Sequence, residues 1–250
     1  MIDKLKLFFD AYSLHARVLP SLFLIAPIII NAFILIPFFH HNFNFCIEIL
    51  LTLGFISFIS NKVASIGRNK QSYLFKKWGG SPSIQYLRHN NNYLDKYTVR
   101  RYHKWINQKI QNLTMPSEIE ENTNPTKSDE KYESATRWLR EYTRNIKHYP
   151  LVFKELTLYG FARNVWGVKF IGMSICTLAL LFSFLYIYSI TNGNLSLWIR
   201  AKFIAPLFIP IVYLLIWIFM INTKWVFHRG LAYARALTAV CETPGNETTQ

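Results

Sequence analysis

Residues 18–39 read VLPSLFLIAPIIINAFILIPFF, and the nearest charges on either side are Arg17 and Glu48. A helix of that length in water would carry charged side chains on its outer face. An uncharged stretch of about 20 residues, rising 1.5 Å per residue, instead matches the roughly 30 Å hydrocarbon core of a bilayer. Two more charge-free stretches run from Phe170 to Ile199 and from Phe203 to Thr223. A fourth apolar segment, about 43–61, carries Glu48 near its outer end and is the weakest of the set. The expected fold class is therefore an all-α integral membrane protein, with two transmembrane helical hairpins (four spans) and a helical basic cytoplasmic domain between them. Its expected parts are an amphipathic N-terminal helix over 1–17, hairpin one over 18–61, the basic domain over 62–169, hairpin two over 170–221, and a cytoplasmic C-terminal helix and tail over 222–250.

Charge is distributed as this topology requires. The chain holds 28 Lys and Arg against 14 Asp and Glu. Three of the cations precede the first span, 20 lie in residues 62–169, two separate the last two spans and three follow them. Cationic loops stay on the cytoplasmic side, so both termini and the middle segment are expected there. Topology alone accounts for the excess, and no specific nucleic-acid partner is expected. The expected partners are the lipid bilayer, further copies of the chain (four thin helices enclose no wide path alone), and a soluble cytoplasmic protein received by the basic domain. Asp3 and Asp10 interrupt the N-terminal basic region, and the apolar run is long and proline-rich, which reads as a retained signal-anchor.

Chemistry-bearing motifs are scarce. Cys46, Cys176 and Cys241 are isolated and odd in number, which argues against a disulfide framework or a zinc site. Neither a phosphate loop, a nucleophile elbow, a dinucleotide fingerprint nor the HExxH pattern occurs. No catalytic residue, metal or cofactor is expected. In the middle segment, Gly79-Gly80 ends one helix and Ser81-Pro82 caps the next. Val99, Tyr102, Ile106 and Ile110 form one apolar helical face, and Tyr132, Ala135, Leu139, Tyr142 and Ile146 form another. Residues 112–128, NLTMPSEIEENTNPTKS, read as a flexible loop, with helix resuming at Asp129.

Several polar features remain as candidate sites. Arg137, Arg140 and Arg144 share one helical face and, with Arg100 and Arg101, could clamp an anionic ligand; a basic face turned toward lipid headgroups is the plainer reading. Glu48 and Asn31 are the polar side chains placed within spans, where such groups are expensive. His40-His41 reads as a solvated turn. The stretch YGFARNVWGVK, 159–169, places Tyr159, Gly160, Arg163, Asn164 and Gly167 where a cytoplasmic helix enters the membrane, as a coupling element or an interfacial anchor. Trp198, Trp217 and Trp225 fall near span ends, like interfacial aromatics. LIAPIII at 24–30 and FIAPLFI at 203–209 are read as chance similarity between two proline-bearing apolar runs.

The turn Gly79-Gly80-Ser81-Pro82, the Arg-rich helix around 137–144, and Tyr159-Gly160-Phe161 followed by Arg163-Asn164 and Gly167 give the chain a resemblance. It resembles small multi-spanning bacterial membrane proteins found among anti-phage defence genes. These motifs span about a third of the chain and are short and non-catalytic. The resemblance implies the bacterial inner membrane and a role in antiviral defence, as a pore-forming effector or as a sensor, and it implies no active site. A small channel or transporter and a membrane anchor for a soluble partner are the competing expectations.

Overall fold

The structure is a computed structural model that describes residues 10–35, 45–199 and 201–242, with the side chains of 45–53, 195, 199, 201 and 202 outside the description. Its long helices are α1 (Ala11–Leu35), α2 (Phe45–Asn69), α5 (Lys96–Lys109), α7 (Pro125–Tyr142), α8 (Pro150–Gly167), α9 (Lys169–Ile190), α10 (Ala201–Leu215, prolonged by a π turn Ile216–Met220) and α11 (Thr223–Thr238). Shorter helices are α3 (Gln71–Trp78), α4 (Pro82–Leu87) and α6 (Glu118–Thr123), and no strand occurs among the described residues. Three helices are long and apolar enough to cross a bilayer, Ala11–Leu35, Lys169–Ile190 and Phe203–Met220. The chain is a helical membrane protein. Helix α2 has 25 residues, enough for about 37 Å at 1.5 Å per residue. The Glu48 side chain and the whole turn with His40 and His41 lie outside the described residues.

By its contacts the chain divides into two units, one of residues up to Lys70 with Gly160–Trp225, the other of Gln71–Tyr159 with the chain from Val226. In the first unit α1, α9 and α10 pack on one another. Leu24, Val63, Val165, Val168, Cys176, Trp217 and Ile221 form a core near one end, and Leu35, Ile187 and Phe203 form a second core near the other. Outward-facing residues are large and apolar, among them Ile29, Phe33, Leu178, Leu181, Phe208 and Phe219. So broad an apolar surface belongs against hydrocarbon. Trp217 departs from its interfacial expectation. Its indole is fully buried, set on Gly172 and 5.2 Å from the Phe23 ring. Only a residue without a side chain lets α9 and α10 approach that closely there.

In the second unit the local signals act as read, with one correction. Gly79 and Gly80 have φ of 75° and 131°, a backbone that favours glycine, and Ser81 Oγ accepts the Ile84 amide at 3.3 Å. Val99, Tyr102 and Ile106 of α5 and Tyr132, Ala135 and Leu139 of α7 are buried, whereas Ile146 lies past the end of α7 and is exposed. The correction concerns residues 112–128. They contain α6, capped by Ser117 Oγ on the Glu120 amide at 3.1 Å, and the start of α7, capped by Asn124 on the Lys127 amide at 3.2 Å. Glu121 is buried there and ties the segment down. Its carboxylate accepts the amides of His89 at 2.9 Å and Asn90 at 3.2 Å and the hydroxyl of Tyr132. Beside it, Arg88 donates twice to Asp129, at 2.9 and 2.6 Å.

His103 lies in the same region, buried, with Nε2 donating to the Leu87 carbonyl at 2.7 Å and its ring 4.7 Å from that of His89. Burial away from water pushes its imidazole down to about 4, against a weaker opposing effect of the Leu87 hydrogen bond. An unfolded histidine titrates near 6.5, so on acidification the unfolded chain takes up this proton first. The stability held by neutral His103 is complete above about pH 6.5 and is lost as pH falls from there toward 4. The urea midpoint of the full chain in detergent is expected to fall over that window, by an amount worth up to roughly 3 kcal/mol. His103→Gln keeps a donor for Leu87 and should flatten the slope. An equal slope in both proteins would place the acid sensitivity elsewhere.

Candidate functional site: a polar joint at the start of the first span

Helix α1 does not begin as a plain α-helix. Leu14–Val18 form a π segment, and Pro20 follows. In an α-helix the amide of residue 20 would bond the carbonyl of residue 16, and proline has no amide hydrogen to give. The Ala16 carbonyl is instead met by Asn164 Nδ2 of α8, at 2.6 Å. Asn164 is 1% exposed. The Arg163 guanidinium, itself 9% exposed, lies on the other side of that amide and donates from Nε and Nη2 to Asn164 Oδ1, both at 3.2 Å.

Two glycines allow the approach. A Cβ on Gly67 of α2 would overlap Asn164 Oδ1 and stand 2.9 Å from Asn164 Cα, and a Cβ on Gly167 would stand 2.7 Å from Gly67 Cα. Gly160 similarly admits α1, with Ala16 Cβ 3.0 Å and Tyr12 Oη 3.1 Å from where its own Cβ would be. Lys70 Nζ closes the end of α8 by donating to the Gly167 carbonyl at 2.6 Å, a cation where the helix dipole is negative. Helix α2 therefore ends where α1 begins, at the last turn of α8.

Of the junction residues expected from sequence, Gly160, Arg163, Asn164 and Gly167 meet here, while Tyr159 belongs to the other unit and stacks on Tyr233 with ring centres 6.3 Å apart. Asn31 builds a second joint. Its Nδ2 donates to Ser183 Oγ at 2.8 Å and to the Pro206 carbonyl at 2.9 Å, joining α1, α9 and α10. The Pro206 carbonyl is the one that Pro210, lacking its hydrogen, cannot satisfy. At the second joint an asparagine thus replaces a missing proline hydrogen, and at the first an asparagine meets a carbonyl inside the π segment.

The arginines of the expected clamp belong to the other unit. Arg137 pairs with Glu133 at 3.2 Å, Arg140 Nε donates to the Thr136 carbonyl at 3.2 Å, and Arg144, beyond the end of α7, pairs with Glu141 at 3.4 Å. All three are exposed. Arg101 is held by Glu242 at 2.5 Å and Thr98 at 2.8 Å, and Arg100 is exposed on α5. The partners of Asn31 and Asn164 were missed by sequence reasoning, because each lies roughly 150 residues away. The available signal was the proline: each unsatisfied carbonyl four residues before it needs a donor from elsewhere. No family model, no curated protein and no solved structure matches this chain.

Proposed function

We infer that the chain is a non-enzymatic membrane effector or sensor of bacterial anti-phage defence. In this reading it is a four-span inner-membrane protein that acts as an oligomer, with both termini and the basic helical unit in the cytoplasm. Three spans are given by their length and composition. The fourth is α2, whose 25 residues suffice and whose end lies beside the start of α1. The observation that carries the reading is the joint at Asn164. The last turn of α8 holds the only side-chain donor described on the Ala16 carbonyl, so movement of α8 must either carry the first span with it or break that buried bond. That is the chemistry of a transmitted signal, and it requires no reaction at the site.

The test is membrane potential, read with a voltage-sensitive dye in cells expressing the chain, before and after phage infection. Depolarisation is expected only after infection. Replacing Arg137, Arg140 and Arg144 together by Ala is expected to leave the protein in the membrane and the infected cells polarised. An unchanged potential in infected wild-type cells would remove the effector reading. A second reading, a small channel or transporter, is favoured by the buried Asn31–Ser183 pair between spans. Solute flux in liposomes holding the purified chain alone would select it.

A further inference from the structure

One end of the first unit is cationic and aromatic. Its described cations are Arg17, Lys62, Arg68, Lys70, Arg163, Lys169 and Lys224, and the only described carboxylate side chain is Asp10. Arg17 lies 5.7 Å over Tyr12, Lys62 lies 5.7 Å over Phe58, and Lys70 is 5.8 Å from the Trp166 ring and 5.9 Å from the Phe170 ring. Two of these ammonium groups are fixed in place. Lys70 Nζ is held by the Gly167 carbonyl at 2.6 Å, and Lys169 Nζ by the carbonyls of Ile218 at 3.1 Å and Ile221 at 2.8 Å. A carbonyl orients an ammonium without neutralising it, and each lysine has a third proton to give. Neither is ion-paired with a carboxylate among the described residues.

The position is that of a headgroup. Lys169 opens one span, and its ammonium caps the end of another. Phe170, on the first turn of that span, is 72% exposed, with Ile171 also exposed beside it. An ammonium fixed between two rings, with charge on one side and bare apolar surface on the other, suits a ligand having a phosphate at one end and hydrocarbon at the other. A free phosphate has no use for Phe170. A zwitterionic headgroup would bring its own cation into a ring of cations.

We propose that the notch formed by Lys70, Trp166 and Phe170 holds the phosphodiester of an anionic membrane lipid, with Lys70 Nζ on the phosphate and Phe170 along the acyl chain. The proposal needs only the membrane class of the chain and stands apart from the effector reading. The purified full chain is reconstituted in vesicles of phosphatidylcholine with phosphatidylglycerol and extracted in a neutral detergent, and the co-purified lipid is quantified by mass spectrometry. Wild-type protein is expected to enrich phosphatidylglycerol. Lys70→Gln keeps a donor for the Gly167 carbonyl but removes the charge, and it should lower the enrichment about five-fold, the factor given by about 1 kcal/mol per basic residue. Lys70→Arg should retain the enrichment, and so should Lys62→Gln, which makes the same change in the net charge of the chain.

Phe170→Ser, at an exposed ring that folding does not depend on, should lower enrichment about two-fold or more, because the acyl chain then has no ring to lie against. It keeps the test decisive should Lys70→Gln not fold. Equal losses in Lys62→Gln and Lys70→Gln would overturn the proposal in favour of diffuse attraction. Wild-type retention without preference would overturn it too, as would unchanged retention in Phe170→Ser. Displacement of the lipid by glycerophosphoglycerol, which has the phosphodiester but no acyl chains, would reassign the notch to soluble phosphates.

Discussion

Gly172→Ala is expected to destabilise the chain by about 1–3 kcal/mol, although alanine is the better helix former by about 1 kcal/mol. The added Cβ would overlap the Trp217 indole, with Cδ2 at 2.7 Å. The obstacle is a rigid ring with no exposure, packed 5.2 Å from the Phe23 ring. It has nowhere to go, so the clash outweighs the gain in propensity. The partner position supplies the control. Trp217→Phe exchanges the bicyclic indole for a smaller single ring, and removes a buried Nε1–H that has no hydrogen-bond partner among the described residues. Gly172→Ala should therefore cost much less in the Trp217→Phe background than alone. The comparison is a double-mutant cycle on the detergent-solubilised chain, read by thermal unfolding. Additive effects would mean that the two residues do not touch as described.

The second large effect concerns the carbonyl that Pro210 leaves open. Asn31→Leu preserves bulk but withdraws both bonds, to Ser183 and to Pro206, at a site 3% exposed. Hydrogen bonds between membrane helices average about 0.6 kcal/mol and reach about 1.7 kcal/mol. The orphaned carbonyl, buried among spans, raises the cost toward and beyond the upper figure. Part is returned, since Asn31 Oδ1 is itself buried without a donor among the described residues and disappears with the amide. A net loss of about 1–2 kcal/mol is expected. Pro210→Ala reinstates an amide for the Pro206 carbonyl, so Asn31→Leu should be milder in that background than in wild type. The same cost in both backgrounds would show that the missing proline hydrogen is not what Asn31 answers.

What could be read from the sequence divides along physical lines. Charge-free length is a local property, and it located α1, α9 and the apolar part of α10. Caps are local too, and Ser81-Pro82 set the start of α4. The segment 112–128 misled because its composition is polar, yet Ser117 and Glu120 stand at cap spacing and Glu121 finds donors from another part of the chain. Trp217 misled for a different reason. A span is apolar on every side, so periodicity cannot say which face meets lipid and which meets a neighbour. The face is set by where Gly172 and Phe23 fall on other helices. The Arg137–Arg144 stripe was legible as charge but not as a pocket, since α7 stops at Tyr142 before the stripe is complete.

The π segments at Leu14–Val18 and Ile216–Met220 bear on how this gene can tolerate change. A π turn takes in one residue more than an α turn does. Loss of a single codon within Leu14–Val18 is absorbed by relaxing the bulge to an α turn, which completes the same rotation with one residue fewer and so leaves the helix on either side in nearly its former register. Asn31 would still face Ser183 and Pro206. A frame-preserving deletion inside the π segment is therefore a milder lesion than the same deletion in the α-helical part of the span, where everything downstream would turn by about 100°.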